Sequence, residues 1–92
     1  MEALLTTHAQ ARMQQRGISP AALDALLDFG RVARVGRGTD IVYFDKKARK
    51  RLAKEDARAA REVARLFRTY AILGRDGAVV TVGHRYRRIQ RI

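Results

Sequence analysis

The sequence predicts an α+β fold with two N-terminal helices, a mainly antiparallel four-stranded sheet and a long basic helix, in the order α-α-β-β-α-β-β. Three observations predict it. Apolar residues recur at helical spacing in two N-terminal stretches and again over residues 46–68. Two pairs of β-branched runs flank glycine-containing turns. The N-terminal helical stretches carry their own start and stop residues. At 92 residues the chain is the size of one domain, and residues 1–92 are read as a single unit.

In chain order, Thr6 and Thr7 can cap a helix from about His8 to Arg16, and Gly17 is placed to end it. Ser19-Pro20 reads as an N-cap followed by a first-turn proline. The second helix, PAALDALLDF, puts Leu23, Leu26 and Leu27 on one stripe and stops at Gly30. RVARV and IVYFD flank GRGTD, a hairpin turn. From Lys46 to Arg68 the period is helical, with Ala48, Leu52, Ala59, Val63, Leu66 and Phe67 sharing a stripe. TYAIL and AVVTVGHRY flank Arg75-Asp76-Gly77, whose Asp-Gly pair is a strong turn signal. Helices on one sheet face would bury these stripes and leave the other face open.

Charge narrows the function classes. Twenty Lys and Arg stand against nine Asp and Glu, a net of +11. Residues 1–30 hold two basic and three acidic side chains, whereas residues 31–92 hold 18 and six. Sixteen of the cations are arginine, whose planar fork grips phosphate at two points. A polyanion, RNA first, is the expected partner, since an anion relieves self-repulsion of this size. The chain has no cysteine, which excludes disulfides and thiolate zinc sites and fits a reducing compartment. No stretch reaches the length of a membrane span and the start lacks a signal-peptide pattern, so a cytoplasmic protein without a membrane partner is expected.

Two histidines, His8 and His84, stand beside arginines. His8, Arg12 and Arg16 are spaced by four on one side of the first helix. Strict alternation in the last strand puts Val80, Val82, His84 and Tyr86 on one face, and Val79, Thr81, Gly83 and Arg85 on the other. The strand passes from a packed end to a basic one that includes Arg85, Arg87 and Arg88. Were the first helix to cross the end of that strand, both histidines and several arginines would converge. Metal-free RNA cleavage needs a base for the 2′-hydroxyl, an acid for the leaving oxygen and cations on the phosphate. Histidine fits the first two roles and arginine the third. The plainer alternative makes each histidine a half-exposed polar residue or a phosphate contact. No metal or other cofactor is expected, because no histidine pair has ligand spacing and the carboxylates are scattered. Lys50, Arg51 and Lys54 are candidates to follow a phosphate backbone, against the plainer reading of a solvated face.

The segment THAQARMQQRGIS resembles a bacterial domain family of unknown function that opens with a His-Ala-x-x-Arg-Met-x-x-Arg-Gly-Ile helix and a Ser-capped second helix. His8, Ala9, Arg12, Met13, Arg16, Gly17, Ile18 and Ser19 carry the match. GAVVTVGHRYRR is similar to that family's closing strand, so the likeness covers both ends, about half the chain. Such domains look like the compact fold of RelE/ParE-type toxins and bacterial toxin ribonucleases. The resemblance implies a metal-independent endoribonuclease of toxin type, neutralised by an acidic antitoxin. Its implied site residues are His8, Arg12, Arg16, Thr81, His84 and Arg85. The long basic segment between Asp45 and Thr69 departs from the family pattern. Two other readings stand beside this one. A non-catalytic nucleic-acid-binding module would bind RNA tightly and return it intact. A basic toxin acting on an acidic protein partner would bind nucleic acid weakly at physiological salt.

Overall fold

A computed structural model describes residues 4–63 and 67–84. It has the α+β architecture that the sequence predicts. The elements are α1 (Thr7–Arg16), α2 (Pro20–Phe29), β1 (Arg31–Gly36), β2 (Thr39–Tyr43), α3 (Lys46–Glu55), α4 (Ala57–Val63), β3 (Thr69–Leu73) and β4 (Val79–His84). The strands form one antiparallel sheet in the order β1-β2-β3-β4.

Local chemistry sets the helix ends. Thr6 caps α1 by accepting from the Ala9 N–H at 3.1 Å. Gly17 ends α1 in the left-handed region (φ 64), where a β-carbon is penalised. Ser19 caps α2 in the same way as Thr6, accepting from Ala22 with Pro20 in the first turn. Asp45 caps α3 through Oδ1 at 2.7 Å from the Ala48 N–H, while its Oδ2 meets Arg31 at 3.4 Å.

The helices cover one sheet face. Val42, Ala71 and Val82 stand side by side across β2, β3 and β4 and are buried beneath them. Ala9 and Met13 of α1, Leu23 and Leu26 of α2, and Ala48 and Leu52 of α3 complete the core with Phe44 and Val79. On the opposite face Tyr70 lies across Gly83, its register partner. A β-carbon at Gly83 would sit 2.9 Å from the Tyr70 hydroxyl. The segment Leu4–Thr6 covers the β4 edge: Thr6 N–H donates to Val79 O and Val79 N–H to Leu4 O. β1 forms the other edge, with arginines at 31 and 34 and an exposed Val32, charge being a common guard against edge pairing.

Two sequence expectations need correction. Strict alternation put Val79 on the face of Thr81, but Val79 and Val82 are both buried in the core. The β3–β4 register runs Leu73↔Val79, then Ile72↔Thr81, so Val80 is an extra residue that resets the alternation. The basic helix expected to run from Lys46 to Arg68 is divided at Asp56 (φ −148, ψ 82). Asp56 is one helical step beyond Leu52, on the stripe that continues to buried Ala60. An unbroken helix would turn its carboxylate into the core, where a charge is costly. The break leaves Asp56 exposed, and its carbonyl accepts the first hydrogen bond of α4 from Ala60 at 2.9 Å. Phe67 and Arg68 form a turn before β3. The expected stripe positions Ala59 and Val63 (side chains) and Leu66 lie outside the description.

Candidate nucleic-acid interface

The contact on which convergence of the histidines depended is made: α1 packs along β4. It separates the histidines rather than joining them. His84 meets the C-terminal end of α1, with Nε2 3.0 Å from the Arg16 carbonyl oxygen. His8 belongs to the first turn of the same helix. Eight residues at 1.5 Å each set the two positions about 12 Å apart along the axis.

The carbonyl of Arg16 is an acceptor only, so His84 Nε2 carries a proton and donates to it. In the neutral ring Nδ1 is then an acceptor, 3.5 Å from the Thr69 hydroxyl. Thr69 is 1% exposed and pairs with His84 across the sheet. His84 thus ties the last turn of α1 to β3 and β4, using a helix-end carbonyl that the helix itself leaves free. Gly17 and Ile18 N–H groups take the neighbouring Gln14 and Met13 carbonyls. Thr81 is half-buried on the opposite sheet face from Val82 and His84.

His8 is exposed, and its Nε2 accepts from Arg12 Nε at a long 3.4 Å. Arg12 also donates to Gln15 Oε1 at 3.2 Å. Arg16 is exposed at the helix end. These side chains form a polar stripe beside buried Ala9 and Met13, as their spacing predicts. Arg85, Arg87 and Arg88 lie outside the described residues. Among the described residues no three His, Asp or Glu side chains gather at one point. No described helix is long and apolar enough to cross a membrane.

The second basic surface is α3. Its ten residues hold six cations, Lys46, Lys47, Arg49, Lys50, Arg51 and Lys54, all exposed, against one acid, Glu55. Two of the arginines lie over aromatic rings: Arg49 is 5.4 Å from the Phe67 centroid and Arg51 is 5.8 Å from that of Phe29. α2 packs on β2 and β3, and both α3 and α4 pack on α2. The α1 and α3 cations therefore form separate strips with α2 between them.

Between α3 and α4 the break at Asp56 opens a notch of about 370 Å³ lined by Arg49, Ala53, Ala57, Ala60, Arg61 and Phe67. Sequence reasoning assigned Phe67 to a core stripe and gave no role to Arg49, Arg61 or Thr69. An aspartate on an apolar stripe was the available signal for the notch. For Thr69 there was none, because its partner is set by strand register.

Fold and surface together define a class: a small basic α+β domain with two cationic strips on its helical side. Comparison with protein-family models, with curated proteins and with solved structures finds no match to this chain.

Proposed function

We propose that this protein is a cytoplasmic RNA-binding domain that holds the phosphate backbone along α3. The observation that carries the reading is the display of six exposed cations against one acid on ten residues of α3. Solvent-facing Lys and Arg at helical spacing follow a phosphate chain and gain affinity by releasing its counterions. Lys50, Arg51 and Lys54 are contacts of this kind, with Lys46, Lys47 and Arg49 extending the strip.

A metal-independent endoribonuclease of toxin type is the second reading, favoured by the exposed His8 ring beside the Arg12 guanidinium. One imidazole and one guanidinium there would meet a phosphate together, the histidine as base and the arginine as charge stabiliser. His84 is too distant to be the partner acid, and both its ring nitrogens have protein partners.

Incubation of the purified protein with total RNA in EDTA, beside His8→Ala and His84→Ala variants, separates the readings. Binding alone predicts shifted RNA recovered intact from all three proteins. Cleavage by the wild type that His8→Ala abolishes establishes the second reading in its place. RNA neither shifted nor cut at physiological salt overturns both and moves the charge toward an acidic protein partner, an antitoxin included.

A further inference from the structure

The notch between α3 and α4 is unlike the surface around it. Its floor is apolar, made by Ala53, Ala57, Ala60 and the half-buried Phe67, while Arg49 and Arg61 stand among the lining residues. Phe67 is held from the core side by an edge-to-face contact with Phe44, at a centroid separation of 5.3 Å and an angle of 69°. The Arg49 guanidinium lies over its ring, 5.4 Å from the centroid. A phosphate track alone requires no such floor. The volume of about 370 Å³ is at the small end for a ligand pocket. It suits a single flat ring with its attached anion, whereas a docking peptide helix needs anchor sites spread over two turns.

The notch also continues the cationic strip. Lys46, Arg49, Lys50 and Ala53 stand at positions i, i+3, i+4 and i+7, and so share one face of α3. A strand whose phosphates ran along that face would arrive at Ala53 and the notch. From these observations we infer that the notch seats one unpaired nucleobase of a single-stranded RNA, with Arg49 and Arg61 on the flanking phosphates. The inference rests on the RNA-binding reading above and adds to it that the strand is single and that a base, as well as phosphate, is engaged. Duplex RNA keeps its bases stacked inside and offers none to the notch.

The test compares a labelled single-stranded oligouridylate with a base-free ribose-phosphate oligomer of equal length and charge, by fluorescence anisotropy. Full-length wild type is set beside Ala53→Leu and Ala57→Leu, which fill the notch from exposed helical positions without changing charge. Urea midpoints verify that each variant folds. The readout is the ratio of the two affinities. Wild type is expected to prefer the strand with bases by about tenfold, the scale of one base stacked on an aromatic side chain. Filling the notch is expected to bring that ratio close to one. Equal, tight binding of both strands by wild type overturns the base seat while leaving phosphate binding intact. A preference that survives both leucines also overturns it, and failure to bind either strand sinks the RNA-binding reading itself. Saturable binding of an acidic amphipathic peptide that the leucines abolish, with no base preference, reassigns the notch to a protein partner.

Discussion

At the scale of single residues, His84 decides how α1 is held. Its imidazole spans from Thr69 on β3 to the last turn of α1, partners 15 and 68 positions away in the chain. Replacing it with alanine leaves the Arg16 carbonyl to solvent and the buried Thr69 hydroxyl without this partner. The expected loss is about 1–2 kcal/mol, the cost of an unmet buried polar group. His84→Gln keeps an N–H able to reach the Arg16 carbonyl and is expected to retain most of that stability. Urea unfolding of the two variants measures the difference, and a wild-type midpoint for His84→Ala would show that the ring holds nothing in place. The sequence placed His84 at the polar end of its strand, as periodicity allows. Its partners depend on register, and register depends on the extra residue Val80, which nothing in the run of valines announces. The α1 stripe was readable because residues four apart on one helix need no knowledge of tertiary structure.

At the scale of elements, caps and turns were legible because their causes are local. Thr6, Gly17 and Ser19 act within a few residues of themselves, and the two hairpins follow from glycine-containing turns between β-branched runs. The break between α3 and α4 was not read, since helical periodicity continues across it from Ala48 and Leu52 to Ala60. The conflict lies in one residue, Asp56, which stands on the apolar stripe and is relieved only by leaving the helix. Asp56→Ala removes that conflict and puts the best helix former at the break. The expected outcome is a stronger helical signal in far-ultraviolet circular dichroism, as α3 and α4 join, with loss of the notch and of any preference for strands with bases. An unchanged spectrum would mean that the packing of α4 on α2, rather than the aspartate, imposes the break.

At the scale of the whole molecule, the question is which basic strip an RNA strand uses. The chain carries +11, and all of the excess comes after residue 30. A net charge alone attracts polyanions to any part of a surface, so affinity by itself does not distinguish α1 from α3. The salt dependence does, because it counts the cations that replace counterions on the strand. For single strands each such contact contributes about 0.7 to the slope of log affinity against log salt. Lys50→Gln with Lys54→Gln removes two neighbouring positive charges from α3 and is expected to lower that slope by about 1.4 units. Arg12→Gln with Arg16→Gln removes the same charge from α1, across α2 from the proposed track, and is expected to leave the slope unchanged. Equal losses from both pairs would mean a strand that wraps the helical side. A loss from the α1 pair alone would relocate the interface to the surface around His8 and β4, where the cleavage reading would again be the stronger one.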